Sequence, residues 1–447
     1  MSVKVMNLVG RLDLQPKEIN YLKLSDERKL LIHETKEYIS SPIKQNLLRK
    51  LRLEARHRMW KHKLELLPSN EDIELFSSSL RNNAIYSKSE DGKLIDYYKY
   101  KQSIDLAPKT LRDFLSTQTF MDLLQISNNK DEGYITVDSI VDYLVTKKDK
   151  LSKLIHLHYY DSASKGYLSM EDLQDFLREE VLPHIPSLAN LNEEEPMLQD
   201  YYLCMATRKF FFLLDPMQQK KVRIIDIVAS RLLEEFETLN ESSNDGIGDD
   251  DEPAEIEQGT SQTIDTLNWF SKRNCLRIKD LYEQLDTDGN GLLSFSEMTD
   301  FQRVTNSFMQ RVFEVQQTYD NDELDLRGFC DLLLAMENKS DRSALSYYFR
   351  VLDVDGDNLL TASDMNFFYR DLARLLEDCF SDDSLQKAPL FEDVKNEIFD
   401  MCCSKNPEGI TLKELISSGK GGTVVGMLTD LDAFLEYENR EDVIYHE

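Results

Sequence analysis

The feature that most constrains this chain is a run of oxygen-bearing side chains recurring through residues 286–297: Asp286-Thr287-Asp288-Gly289-Asn290-Gly291-Leu292-Leu293-Ser294-Phe295-Ser296-Glu297. A cation of calcium's size and hardness takes about six to eight oxygen ligands, and a tight loop can deliver them from alternate residues. Asp286, Asp288 and Asn290 supply the first three side chains, and Gly291 permits the sharp turn that follows. Leu292 offers its backbone carbonyl, Ser294 coordinates directly or through water, and Glu297 reaches back with both oxygens. Leu293 is placed to join a short strand with a neighbouring loop. Apolar residues recurring at helical spacing (Leu276, Leu281 and Leu285 before the loop; Phe295, Met298 and Phe301 after it) predict a helix on each side.

Helix, metal loop and helix together make the EF-hand layout. A second copy occupies residues 353–364. Asp353, Asp355 and Asp357 provide three carboxylates, Leu359 a carbonyl and Thr361 the ninth position. Asn358 replaces the usual glycine, and asparagine tolerates a left-handed backbone better than most residues. Asp364 replaces the terminal glutamate and is one methylene shorter, which weakens calcium and makes magnesium an alternative occupant. Other copies keep the shape without the ligands. The loop beginning at Asp161 has Ala163 and Lys165 where ligands belong, the one beginning at Asn128 has Lys130 and Ser139, and the one beginning at Asp215 has Met217 and Lys220. Near Leu324 and Ile410 only the second half of the unit survives. EF-hands work in pairs, so the Asn128 loop is expected to pair with the Asp161 loop, the Asp286 loop with the Leu324 segment, and the Asp353 loop with the Ile410 segment.

The fold class that follows is mainly α: an elongated array of EF-hand and EF-like helix-loop-helix pairs in two lobes. Residues 1–100 read as a charged helical N-terminal region and 101–240 as an EF-like lobe with degenerate loops. Residues 241–263 read as an acidic flexible linker, carrying Asp249-Asp250-Asp251-Glu252 and Pro253 without apolar periodicity. Residues 264–447 form the C-terminal lobe with both metal-competent loops. The stretch from Lys44 to Lys63 is locally basic and reads as a solvated helix face or a dock for an acidic surface. Over the 447 residues the formal charge is −29, which disfavours nucleic acid and favours cations or basic partner surfaces. No apolar run is long enough to span a membrane, and the first residues carry no signal-peptide core. Six cysteines (Cys204, Cys275, Cys330, Cys379, Cys402, Cys403) form no C-x-x-C pair and fit a reduced, intracellular setting.

Nothing in the sequence argues for catalysis. Gly419-Lys420-Gly421-Gly422-Thr423 lacks the phosphate-loop spacing, and the seven histidines do not cluster. Four segments, in this order, resemble one family: C-M-A-T-R-K-F-F-F-L-L-D-P at 204–216, Asn268-Trp269-Phe270, D-V-K-N-E-I-F-D-M at 393–401, and G-G-T-V-V-G-M-L-T-D-L-D-A-F-L-E-Y-E-N-R-E at 421–441. They resemble the B-double-prime regulatory subunits of type 2A protein phosphatase, gamma branch, over residues 40 to 445. The acidic insertion and the ligand set of the Asp353 loop depart from that pattern. The resemblance implies a calcium-binding, non-catalytic subunit that binds the HEAT-repeat scaffold subunit and the catalytic subunit and directs substrate choice and location. The gamma branch implies centrosomal and microtubule partners and a cytoplasmic or cytoskeletal place, with the nucleus open. Phe210, Phe211 and Phe212 read as core of an EF-like helix, while Arg208 and Lys209 are candidates to face an acidic partner. The alternative is a free-standing EF-hand calcium sensor or cytoskeletal adaptor that never meets a phosphatase.

Overall fold

The computed structural model describes residues 42–440 apart from 87–92, 113, 127–132, 192–196, 243–267, 300, 302–303, 317, 320–321 and 380–387. Most of the acidic stretch expected as a linker thus lies outside the described residues, as do residues 1–41. The described chain is mainly helical, with strands of two to four residues, and none of its helices is long and apolar enough to cross a membrane. It divides into two compact units, Met1–Val145 and Thr146–Glu447.

The first unit holds α1 (Pro42–Glu65), which carries the basic stretch, and α2 (Asn70–Asn83). Ser69 starts α2 with a capping box: its hydroxyl accepts the Asp72 N–H, and its own N–H donates to the Asp72 carboxylate. Strands β1 (Ile85–Tyr86) and β2 (Lys93–Asp96) follow, then α3 (Tyr97–Leu106), α4 (Thr117–Ile126), β3 (Tyr134–Thr136) and α5 (Val137–Tyr160), within which the unit boundary falls. The three strands make one antiparallel sheet in the order β1-β2-β3, with Ile95 opposite Ile135 and both fully buried. This corrects the expected pairing of the Asn128 loop with the Asp161 loop. β2 carries the EF signature that decides the pairing: buried Ile95 at the strand position, then Asp96, whose carboxylate accepts the Lys99 N–H and starts α3.

The described residues of the second unit include three loop pairs. β4 (Tyr167–Leu168), next to α6 (Met170–Phe176), pairs with β5 (Val222–Arg223), which follows α7 (Leu198–Leu214) and precedes α8 (Ile224–Ala229) and α9 (Leu232–Ser242). The Asp286 loop follows α10 (Lys272–Leu285) and runs into turns at 295–299, where the apolar spacing predicts a helix that the structure does not form. Its Leu293 exchanges both backbone hydrogen bonds with Leu324 at 2.8 Å, just ahead of α12 (Leu326–Glu337) and after α11 (Asn306–Val315). The Asp353 loop joins α13 (Arg342–Leu352) to α14 (Ala362–Cys379), and its β6 (Leu360–Thr361) pairs with β7 (Gly409–Ile410), between α15 (Phe391–Cys402) and α16 (Leu412–Ser417). α17 (Gly421–Thr429) and α18 (Leu431–Glu438) close the chain. Both pairings expected for the metal-competent loops are therefore present. Leu293, Leu324, Leu360 and Ile410 are fully buried, so each bridge ties backbone pairing to apolar burial worth about 1.5–3 kcal/mol per side chain.

The structure moves the boundary read from the sequence at 241–263. Residues on either side of that stretch share one core. α7 packs along α12, the Tyr202 hydroxyl donates to the Phe270 carbonyl at 2.7 Å, and the Trp269 indole N–H donates to the Met205 carbonyl at 3.2 Å. An acidic, apolar-poor stretch in the sequence therefore does not mark the end of a core here. Phe210, Phe211 and Phe212 are all buried, as expected of a core helix.

Arg208 and Lys209 do not present free charges to a partner. The Arg208 guanidinium grips Asp331 of α12 with two bonds, Nε to Oδ1 at 2.8 Å and an Nη to Oδ2 at 2.5 Å. Asp331 is almost wholly buried, and its burial pushes its carboxyl upward while Arg208 pulls it back. Lys209 donates to Glu235 at 2.6 Å and sits 4.9 Å from the centre of the Phe270 ring. The acidic partners these cations were expected to find lie in the same chain, because α7 is central to the unit and both faces are covered. Arg208→Met should strand the Asp331 carboxylate and destabilise this unit by about 3–5 kcal/mol in urea unfolding. Adding Asp331→Leu should recover more than half of that loss.

Candidate metal centres

Each loop is shaped first by the carboxylate at its start. The Asp286 carboxylate accepts the N–H groups of Asn290 (3.1 Å) and Gly291 (2.8 Å). Asp353 accepts those of Gly356 (2.8 Å), Asp357 (3.2 Å) and Asn358 (2.9 Å). Further bonds of the same kind fix the next ligands: Asn290 N–H to Asp288 at 3.0 Å and Leu292 N–H to Asn290 Oδ1 at 2.7 Å in the first loop, Asp357 N–H to Asp355 at 3.2 Å and Leu359 N–H to Asp357 at 2.7 Å in the second. These turns need a left-handed backbone, supplied by Gly289 and Gly291 (φ 70° and 82°) and by Gly356 and Asn358 (φ 75° and 65°). Asn358 does adopt the conformation that its amide side chain tolerates.

The first loop gathers Asp286, Asp288 and Glu297, each offering an oxygen within 4.8 Å of the others. Glu297 Oε1 receives the Thr287 N–H and hydroxyl, both at 2.8 Å, and Oε2 receives the Ser294 N–H at 2.8 Å and hydroxyl at 2.7 Å. These donors, the Ser294 N–H foremost, hold the Glu297 carboxyl down at about 2. The groups that bond these oxygens are N–H and O–H donors, which leave the mutual repulsion of three anions largely in place. A hard divalent cation would relieve it, so the donor set fits calcium. Asp286, Asp288, Asn290 and Glu297 would hold the ion with their side chains and Leu292 with its carbonyl. Ser294 spends its hydroxyl proton on Glu297 and keeps lone pairs for the ion or its water.

The second loop differs at its end. Its cluster is Asp353, Asp355 and Asp357, without Asp364. Asp364 accepts from the same loop positions as Glu297, namely Val354 N–H at 3.1 Å, Thr361 N–H at 2.8 Å and Thr361 hydroxyl at 2.6 Å, but on its shorter arm it does not join the cluster. Burial pushes the Asp353 carboxyl up, against the N–H groups of Asn358 and Gly356, and the charges of Asp357 and Asp364 add to the rise. Carboxylates at the start and middle of the loop, with a short arm at its end, fit a cation that keeps more of its water. Leu359 and Thr361 stand where the fold requires them.

The Asp161 and Asp215 loops keep the shaping bond, and neither has a carboxylate cluster among the described residues. Asp161 accepts the Gly166 N–H at 2.8 Å, and Asp215 accepts those of Gln219 and Lys220 at 2.9 and 2.7 Å. Ser164, Gly166, Gln218 and Lys220 take the left-handed turns. In the Leu324 segment the terminal ligand position is Gly328, where an added Cβ would meet Leu324 Cδ1 at 2.2 Å. Three side chains around the first centre escaped the sequence reading. The Tyr282 hydroxyl donates to the Gly291 carbonyl at 2.9 Å, Asp331 anchors α12 behind the paired segment, and Glu323 bonds Asn290. Tyr282 follows the helical apolar stripe of α10 and could have been found by it; a contact from a segment more than thirty residues on, such as Glu323, carries no local signal.

An EF-hand domain family model matches residues 146–242, the pair that has the loop shape without the ligands. Over 400 residues the chain is 33% identical to the gamma form of the B'' regulatory subunit of serine/threonine-protein phosphatase 2A from Mus musculus, covering 89% of this chain and 82% of the relative; the Homo sapiens protein gives the same figures. The chain belongs to the B'' regulatory subunits of protein phosphatase 2A. Another B'' relative, the probable phosphatase 2A regulatory subunit TON2 of Arabidopsis thaliana, is 27% identical over 426 residues, 91% of this chain and 82% of that one. A chain of a solved PP2A PR70 holoenzyme shares the fold, with a TM-score of 0.51 at 19% identity over 61% of this chain and 94% of that one. The gamma resemblance read from the motifs is thus met along most of the B'' sequence.

Two substitutions separate the centres. Glu297→Gln should weaken calcium binding at the first loop by at least about tenfold, read by calorimetric titration. Asp364→Glu, which lengthens the arm into the second cluster, should strengthen calcium there by about tenfold and narrow the gap between the two loops.

Proposed function

We propose that this chain is a calcium-binding, non-catalytic subunit that joins the scaffold and catalytic subunits of protein phosphatase 2A and directs substrate choice and location. Its B'' membership supports the assembly. The observation that carries the calcium reading is the Asp286–Asp288–Glu297 cluster, built into a loop whose backbone is already turned for ligation. The chain's part is to bind and place; phosphoester hydrolysis belongs to the catalytic partner. Magnesium competes at the Asp353 loop, where the short Asp364 arm leaves room for a smaller ion with its waters. The gamma resemblance directs the assembly to centrosomal and microtubule structures in the cytoplasm.

Calcium acts here through stiffness. The Asp286 loop is bridged to the Leu324 segment, whose helix α12 holds α7 through Asp331 and Arg208. An ion that rigidifies the loop therefore steadies a helix pair at the centre of the unit. Affinity purification of the full chain, with and without chelator, tests the reading. Scaffold and catalytic subunits should both co-purify, and chelation or Glu297→Gln should lower their recovery. A chain that brings down cytoskeletal proteins and neither phosphatase subunit would instead be a free-standing sensor or adaptor.

A further inference from the structure

Asparagine is an ambiguous ligand. Its amide carries an oxygen that can bind a cation and an NH2 that cannot, and the two exchange places by a half-turn of nearly equal shape. Asn290 of the first loop is held one way round. Its Oδ1 accepts the Leu292 N–H at 2.7 Å, so that atom is the acceptor. Its Nδ2 donates to Asp288 Oδ2 at 3.2 Å and, across the loop pair, to Glu323 Oε2 at 3.3 Å. A carboxylate accepts and never donates, so Glu323 tolerates only the NH2 end. Glu323 reaches that place because it immediately precedes Leu324, whose backbone is locked to Leu293.

The second loop supplies an internal comparison. Its fifth-position ligand is Asp357, which has oxygens at both ends and needs no orientation. The residue that precedes its bridging Ile410 is Gly409, where an added Cβ would stand 3.1 Å from Leu359 Cβ. Where the ligand is an amide, the paired segment brings a carboxylate; where the ligand is a carboxylate, the paired segment has no side chain to bring.

We infer that Glu323 is a positioning residue for the first metal centre: it fixes the Asn290 amide with its oxygen available to the ion, from a segment that contributes no ligand of its own. This rests on calcium binding at the Asp286 loop and adds the device by which the metal-free half of the pair tunes that binding. Simple charge attraction would also make Glu323 favour calcium, but the two accounts part when residue 290 changes. Attraction acts whatever stands at 290. Orientation matters only for the amide, and with aspartate there Glu323 becomes a repelling neighbour.

The test is a calcium titration by calorimetry of the full chain, with the second loop silenced by Asp355→Ala, in four versions: parent, Glu323→Met, Asn290→Asp, and both. Glu323→Met should weaken binding about fivefold in the Asn290 chain, the scale of one ordinary, partly exposed hydrogen bond. In the Asn290→Asp chain it should cause no loss, or a gain. Glu323→Gln, which keeps an acceptor and drops the charge, should stay within about twofold of the parent, and it carries the test if thermal melts show that the methionine variant is misfolded. Equal losses in both backgrounds, a glutamine variant as weak as the methionine one, or no loss at all would overturn the inference while leaving calcium at the loop intact. A parent that binds no calcium there would overturn the calcium reading itself, and this inference with it.

Discussion

A carboxylate that turns the chain back on itself is the interaction from which the rest of this structure follows. In each of the four described loops that begin with an aspartate, that aspartate accepts N–H groups from the far side of the turn. Those donors would otherwise face one another at the loop's inside, where they would repel any cation and find no acceptor. Once they are satisfied, the eighth residue of each loop is delivered to a short antiparallel pairing. This bond operates without an ion, so the loops at Asp161 and Asp215 can serve as scaffold after their other ligands have gone. Metal binding is an addition to the loop fold, and the B'' architecture survives its loss in most copies.

The second unit then depends on how the loop pairs are joined. α7 and α12 bring the pair at 146–242 against the pair that holds the first metal centre, and their contact is closed by the nearly buried Arg208–Asp331 couple. A guanidinium and a carboxylate removed from water are an expensive choice compared with two apolar side chains, but they tolerate only one register, since a bidentate grip has one geometry. Trp269 and Phe270 reinforce it from beyond the acidic stretch, with hydrogen bonds back to α7. The register of one helix pair thus sets what the calcium centre leans on.

Much of this was legible in the sequence because its signals are local. Ligand spacing at Asp286 and Asp353, the helical stripes around them and the apolar strand positions at Leu293, Leu360, Leu324 and Ile410 are all contained within a dozen residues; the structure has the strand pairings and the helices α10, α13 and α14, and lacks the helix predicted at Phe295, Met298 and Phe301. What else failed was long range. The partner of the Asn128 loop is β2, whose strand residue Ile95 sits in a segment with too few ligand positions to stand out. Arg208 and Lys209 look like exposed cations next to an apolar run until Asp331 and Glu235 arrive from distant helices. Charge in a sequence shows what a residue needs, and only the fold shows who meets that need. For the same reason Asp364 could be read as a weak ligand, while its commitment to Thr361 and Val354 could not.

The tight seat around Gly328 has a consequence for what this chain could become. Restoring an acid at that site would force it against Leu324, which is fully buried and bonded by its backbone to the neighbouring loop. An acid there would have to displace the Leu324 side chain, so a terminal ligand in this half of the pair requires repacking of the residue that pairs with Leu293. The glycine that leaves this half of the pair without a terminal ligand is also what lets Leu324 pack down onto the start of its own helix.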